Sequence, residues 1–522
     1  MGKINIKYSD GNIGGVIASQ DGVSGYIHFN NVLANQFPSL PKVVRLRQAR
    51  DLNKYGIYGT PQELIDNGSV AADATAYGVT ITASSVSTVV TLEFNSPVSG
   101  KEIKVMSTLG KMKDAILAEA KNDYIQYYNV REFLGMSTLA DVLDAYYVFT
   151  YDSGDVEFTM TTTQPAFQGI FGTLSFTCAG GTLSSTSCGD FDICQVYQNI
   201  ADYFAQSPDS VLYFSLISGN GLQDATDAID EIVKASDGQV RQVAYVSGTT
   251  PVTDYIASFI GGIQTHLESL ATDKKPLVAI VGDAMAYKRS NSISNVNLRS
   301  YSAKRVSGVL TTLPHTFQYS ATTSHTVMGE VLGLISKNKV SDSIAWVGNN
   351  PMLYGEYDVN TATSVVTYSW EAAGEIATDD IDAFQANGWI LPMSYVGNSA
   401  RFINADNNSA AALSDYNSIK RVRTMDKVAR LAYQALVPFI SSPLYVDKAT
   451  GFLSEMTVQK FETVISQQLD TMENAYELSG YSVEIPEDQN ILQTATLDVN
   501  VKVVPVGSAD VINVNLAYAV QI

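Results

Sequence analysis

At 522 residues with 45% hydrophobic side chains, the chain has material for a large core and, by length, for two to four domains. A formal net charge of −20 excludes a generally nucleic-acid-binding surface, which needs clustered Lys and Arg, and the short basic run Lys420, Arg421, Arg423 reads as a solvated face. No apolar run approaches a membrane span, the opening residues carry no continuous apolar segment of a secretory signal, and three cysteines make no disulfide framework, so the chain is expected to be made and folded in a cytoplasm.

In chain order, Ile4, Ile6 and Tyr8 alternate with polar residues and predict a short amino-terminal strand, cut by the glycines of 11–15. Strands are expected at 25–29 and 42–46. Residues 70–106 change character: the Thr- and Val-rich runs 78–82 and 89–94, parted by Ser-rich turns, predict a β insertion. A helix at 111–121 and a strand near 127–133 return to the core pattern, and 137–207 reads as a second variable region carrying a helix over 196–204. The apolar run 211–217 suits a strand covered on both faces. A helix at 251–270 presents Val252, Ile256, Phe259, Ile260, Ile263, Leu267 and Leu270 as one stripe and is followed by a buried strand at 276–282. The same helix-then-strand unit is expected over 328–348, with 344–347 as its strand. Further on come a strand at 388–393, a helix at 426–437 and a longer helix at 457–478 that Gly480 is placed to end.

The chain closes on two alternating segments. Leu497, Val499, Val501 and Val503 share one face; after an interruption at 505–508, Ile512, Val514, Leu516, Tyr518, Val520 and Ile522 share another. Burying such side chains is worth roughly 1.5–3 kcal/mol each, so a terminal strand this regular is expected to pair with something.

Candidate chemistry is sparse. His28, His266, His315 and His325 stand at spacings that suit no metal site, and Cys178, Cys188 and Cys194 lack a CxxC knuckle or a nearby His. No nucleophile elbow, HExxH or phosphate-binding glycine loop occurs. The run Asn404 to Asn408 lacks the register of a calcium loop and reads as a polar turn. Neither a cofactor nor a catalytic set is expected.

Other residues carry a resemblance. The strand 388–392, the run Arg423-Thr424-Met425-Asp426-Lys427-Val428-Ala429-Arg430, the turn Gly451-Phe452-Leu453, and the closing segment 501–512 with Pro505 and Gly507 resemble the contractile tail sheath proteins of phages and related injection machines. Near the other end, 25–29 and Ala49 to Gly56 are similar to the same family. Two departures mark a divergent branch: the usual Pro-Gly-Val-Tyr opening is missing, and Val437-Pro438-Phe439-Ile440 replaces a Phe-Glu-Pro-Asn segment.

The resemblance implies a mixed α/β fold: a layered sheath core built from amino- and carboxyl-terminal parts, with β-rich insertions and terminal strand arms. The corresponding division is an amino-terminal arm at 1–20, core at 21–57, a β-rich insertion at 58–106, core again at 107–136 and a second insertion at 137–207. An α/β core at 208–387, a carboxyl-terminal sheath domain at 388–495 and a closing arm at 496–522 complete it. The implied role is structural and non-enzymatic. Subunits would form a helical homo-oligomer of stacked rings around a tail tube protein, meeting baseplate and terminator proteins, with no direct nucleic-acid contact and no membrane insertion. The place would be a virion tail or injection particle, reached from a host cytoplasm. Ile4, Ile6, Tyr8 and the six residues from Ile512 to Ile522 would be the inter-subunit strand residues, and Arg423, Asp426, Lys427, Arg430, Gly451, Pro505 and Gly507 the family-pattern positions. Two other readings stand beside it: another self-assembling tail, virion or surface-layer protein, and an α/β enzyme with a site dispersed in sequence.

Overall fold

A computed structural model describes residues 20–30, 37–59, 192–219, 221–247, 252–283, 297–309, 324–353, 383–395, 400–448, 450–486, 488–510, 512–514, 516 and 518, a few isolated positions, and the backbone of single strands within 79–184 and at 313–316. The predicted amino-terminal strand, the helix at 111–121 and the strand at 127–133 lie outside the described residues.

The chain enters its main sheet with β1 (Val23–Phe29), six of whose seven residues are buried, as a strand covered on both faces requires. β2 (Val44–Leu46) follows. Seven strands then belong to a separate β region: β3 (Val79–Ala83), β4 (Val90–Phe94), β5 (Glu102–Val105), β6 (Tyr147–Tyr151), β7 (Val156–Met160), β8 (Cys178–Ala179) and β9 (Gly181–Ser184). They form two antiparallel sheets, β3-β4-β7-β8 and β5-β6-β9. Val90 pairs with Met160 and Glu102 with Thr150, so the stretches that the sequence separates as 58–106 and 137–207 share both sheets.

The core resumes with α1 (Asp192–Gln206), β10 (Val211–Ile217), α2 (Leu222–Ala235), β11 (Gln242–Ser247), α3 (Val252–Thr272), β12 (Val278–Asp283) and β13 (Val306–Val309). After the hairpin strands β14 (Leu313–Thr316) and β15 (Ser324–His325) come α4 (Met328–Lys337), β16 (Trp389–Ile390), β17 (Pro392–Ser394) and β18 (Arg401–Ile403). The main sheet runs β16-β13-β12-β11-β1-β10-β2, parallel except for the antiparallel edge strand β2. The fold is therefore mixed α/β with a mixed sheet.

Successive side chains of a strand point to opposite faces. A side chain at Gly25 would meet Ile232 of α2, whereas Tyr26 is electrostatically coupled to Asp202 of α1, so those helices cover opposite faces. α1 and α4 approach closely because α4 carries Gly329 and Gly333 one turn apart: a Cβ on Gly329 would sit 1.9 Å from the Asn199 carbonyl oxygen.

The chain ends with α5 (Ile419–Leu436), α6 (Glu455–Asn474), β19 (Leu478–Glu484), the short α7 (Ile491–Thr494) and β20 (Asn500–Pro505), the last pairing antiparallel with β19. Ile419 and Val422 of α5 belong to the large core that also holds Trp389, Ile390 and Ile403. Val428 and Ala435 of the same helix join Ile465, Leu469 and Met472 of α6 and Leu478 in a second, smaller core. One helix thus belongs to both cores.

Three local expectations are corrected. Residues 344–347 form turns, with Trp346 half exposed, because the Ser343 hydroxyl accepts from the Ala345 amide and the Asn350 amide side chain donates to the carbonyls of Ser343 and Ile344. The longer helix ends at Asn474, not at Gly480; Tyr476 takes the left-handed turn at φ 59°, and Gly480 lies inside β19. The basic run expected as a solvated face is buried at Lys420 and Arg423, whereas β20 ends at Pro505, opposite Leu478, where the expected interruption at 505–508 begins. Ile512, Val514, Leu516 and Tyr518 belong to no strand of their own subunit.

Candidate functional site: a buried ion cluster where the terminal segments join the fold

α5 opens where a polar loop feeds it. The loop 404–408, expected as a polar turn, is largely buried and spends its side chains on backbone: Asn404 donates to the Trp389 carbonyl, Asn407 to those of Gln385 and Trp389, and Asn408 to those of Lys304 and Tyr416. Asp406 accepts the backbone amide of Lys420 at 3.0 Å, serving the exposed donors of the first helical turn. Burial pushes the Asp406 carboxyl up to about 7, against the Lys420 amide and the charges of Lys420 and Arg423. Among the described residues no group of three or more His, Cys, Asp or Glu side chains is placed to hold a metal ion.

Along α5, Arg423, Lys427 and Arg430 recur at spacings of four and three, which puts them on one stripe of the helix. That stripe faces residues 20–22, where residues 1–19 join the fold. Lys427 Nζ lies 2.7 Å from the Asp21 carboxylate, Arg430 donates to the other Asp21 oxygen, and Arg423 donates to the Asp21 carbonyl at 3.3 Å. Gln242 also donates to that carbonyl, while Ser336 and Tyr203 donate to the carbonyl of Gly22. Burial pushes the Asp21 carboxyl up, but Lys427, Arg430 and Arg423 outweigh it and hold it below the ordinary carboxylate value.

The same ammonium serves a second carboxylate. Lys427 Nζ is 2.7 Å from Glu477, the residue immediately before β19. At the start of α5, Lys420 Nζ donates to the Ser508 hydroxyl, which in turn lies 3.2 Å from Asp510, just beyond β20. Both terminal segments therefore join the fold on side chains of one helix.

Asp426, three residues after Arg423 and four before Arg430, lies on the same face and pairs with a different partner. It takes two hydrogen bonds from Arg305, at 2.7 and 2.9 Å, and Arg305 reaches Glu268 of α3 at 3.1 Å. Burial pulls the Arg305 guanidinium down, yet Asp426 and Glu268 raise it above its ordinary value. Arg241 is pulled down to about 10 by burial and by the positive charge of Arg430. Removing one partner of such a buried pair costs about 3–5 kcal/mol, because the other charge is left uncompensated.

The family-pattern residues thus separate. Arg423, Asp426, Lys427 and Arg430 lie together in the cluster. Gly451 sits apart with φ 74°, in a turn closed by Asp447 that delivers Ser454 as the hydroxyl cap of α6. Gly507 has open space around it. Ile512, Val514, Leu516 and Tyr518 are 79, 72, 92 and 109% exposed. Ile4, Ile6, Tyr8, Val520 and Ile522 lie outside the described residues. His28 is buried in the main sheet and burial pulls its imidazole down to about 3; His266 pairs with Asp230 at 2.9 Å; Cys194 is buried on α1.

Reading the sequence missed Asp21, Arg305, Glu477, Lys420 and Ser508 as partners of these residues. Asp21 and Arg430 are 409 positions apart, and no periodicity links them. The available signal was a charge at the entrance to a strand: Asp21 before Gly22 and β1, Arg305 before β13 and Glu477 before β19.

Comparison with known proteins adds the following. The DUF2586 N-terminal domain matches residues 1–404 and the DUF2586 C-terminal domain matches 415–522. No curated protein matches the chain. Among solved structures, a chain of the anti-feeding prophage baseplate is similar at 13% identity and TM-score 0.43, covering 62% of this chain and 81% of that one. A chain of the contracted sheath complex of the PVC extracellular contractile injection system is similar at 14% identity and TM-score 0.42, with 63% and 81% covered. A sheath tail protein from Listeria innocua is similar at 10% identity and TM-score 0.38, with 92% and 95% covered.

Proposed function

This chain belongs to the DUF2586 family, and from that premise we propose that it is the structural subunit of a contractile tail sheath. The observation that carries the reading is the exposed apolar row Ile512, Val514, Leu516 and Tyr518, which lies beyond the end of β20 at Pro505 and, among the described residues, has no strand partner in its own subunit. Alternating apolar side chains set the register of a strand, so the row suits addition to a sheet edge of a neighbouring copy. An edge of that kind is present in the two-stranded β19–β20 sheet.

In this reading subunits polymerise around an inner tube and are linked by exchanged terminal strands. About six donated backbone hydrogen bonds, at roughly 1 kcal/mol net each, together with the apolar face, outlast the weaker contacts between globular bodies. The linkage then holds while the bodies rotate from an extended to a contracted state, and the work comes from added burial between subunits. Residues 388–495 would face the tube and the β-rich insertions would face outward. Baseplate and terminator proteins would cap the assembly.

The test is electron microscopy of the purified chain beside a chain lacking residues 511–522. Hollow striated cylinders from the full chain and a folded, non-polymerising truncated chain are expected. Discrete particles from the full chain, both alone and co-expressed with a tube protein, would overturn the sheath reading. Normal cylinders from the truncated chain would overturn strand donation by this segment.

A further inference from the structure

We propose that Lys427 couples the two terminal segments of one subunit antagonistically, so that loosening either one tightens the hold on the other. Three features of the geometry point to this. First, a single ammonium stands 2.7 Å from each of two carboxylates, Asp21 and Glu477, which belong to opposite ends of the chain. Second, all three side chains are nearly closed off from water, with exposures of 18, 9 and 6%, so their interactions are weakly screened. Third, each carboxylate sits where a terminal segment meets the fold: Asp21 lies in the turn Gln20–Gly22 that leads into β1, and Glu477 directly precedes β19, the strand that pairs with β20.

Two negative charges sharing one positive charge repel each other while both are attracted to it. If Asp21 moves away, Lys427 turns wholly to Glu477 and the repulsion between the carboxylates vanishes. If Glu477 moves away, Asp21 gains the undivided ammonium and keeps Arg430 as well. Separate cations for the two carboxylates would give independent roots. Sharing makes the sign of the coupling negative, and thermodynamic linkage makes its size equal in both directions.

For an assembly joined through both ends of each chain, a load that frees one root then reinforces the other, so that a subunit under strain keeps hold of a neighbour. That consequence rests on the sheath reading. The coupling itself does not, because it is a property of the unassembled chain.

Hydrogen exchange by mass spectrometry on the unassembled full-length chain tests it, following residues 20–24 and 478–484. Glu477→Gln is expected to slow exchange at 20–24 several-fold, and Asp21→Asn to slow exchange at 478–484 by the same factor. Lys427→Met is expected to abolish both cross-effects when combined with either change. The isosteric amide variants alone decide the sign if Lys427→Met does not fold. Faster or unchanged exchange at the distant segment in either amide variant would overturn the proposal, whatever the microscopy of assemblies shows.

Discussion

Arg305 and Asp426 meet through two parallel hydrogen bonds of 2.7 and 2.9 Å, with both side chains more than nine-tenths buried. This pair ties α5 to the strand it precedes and, through Glu268, to α3. Asp426→Asn should lower stability by about 3 kcal/mol, since the guanidinium loses its buried counter-charge. Arg305→Lys keeps the charge but loses the fork, and should cost less. Urea midpoints at constant m-value measure both. Equal midpoints for Asp426→Asn and the unmodified chain would mean that the pair contributes nothing net.

A second prediction concerns pH. Glu330 is fully buried on α4, where Gln206 donates to its Oε1 at 3.0 Å and the Leu353 amide donates to the same atom. Burial pushes its carboxyl from 4.5 up to about 8. Between those values the folded chain holds a proton that the unfolded chain has released, so stability is fully present below about pH 4.5 and falls as pH rises towards 8. Asp406, raised from 3.8 to about 7, acts in the same direction over a lower window. Glu330→Gln should flatten the slope of stability between pH 5 and 8 and raise stability at pH 8 by on the order of a few kcal/mol. Denaturant unfolding at pH 5, 6.5 and 8 checks this; parallel slopes for the two chains would refute it.

Two glycine substitutions should have opposite signs. Gly261→Ala in α3 meets nothing within 4 Å and should stabilise by about 0.5–1 kcal/mol through helix propensity. Gly329→Ala in α4 drives its Cβ into the Asn199 backbone, which cannot yield as a side-chain tip can. It should destabilise by about 1–3 kcal/mol even after the propensity gain. Thermal unfolding of the two variants side by side suffices, and the same sign for both would contradict the packing described.

Leu516→Asp separates folding from assembly. With 92% of its surface exposed, Leu516 contributes little to its own subunit, and the variant should unfold within about 0.5 kcal/mol of the parent. A charge on the apolar face of a donated strand should nevertheless prevent polymerisation, as read by sedimentation. Polymers of normal size would argue against burial of that face between subunits.

Legibility from sequence follows the range of the forces involved. β1, β10 and β12 and the helix α3 were readable because burial on one or both faces imposes a local apolar pattern. The error at 344–347 has the same origin: four apolar-looking residues suggested a strand, but Ser343 and Asn350 bind the backbone locally and close turns instead. Gly480 looked like a helix stop because glycine tolerates left-handed backbone, yet Tyr476 occupies that conformation four residues earlier. Pairing of β4 with β7 and of β5 with β6 could not be read, since no strand's own pattern names its partner across the long intervening stretches 95–155 and 106–146.

Alternation and helical stripes, set by neighbours a few residues away, were determined by the sequence alone: the mixed α/β class, most core strands, and the alternating apolar row from Ile512 onward. The family pattern also singled out Arg423, Asp426, Lys427 and Arg430, but with a helix expected only from 426; the structure starts it at Ile419 and so puts Arg423 on one stripe with Lys427 and Arg430. What that stripe binds was decided only in three dimensions. Electrostatic pairing acts through space and leaves no period in the chain, so the meeting of Asp21 and Glu477 on Lys427 exists only once both cores have closed around α5.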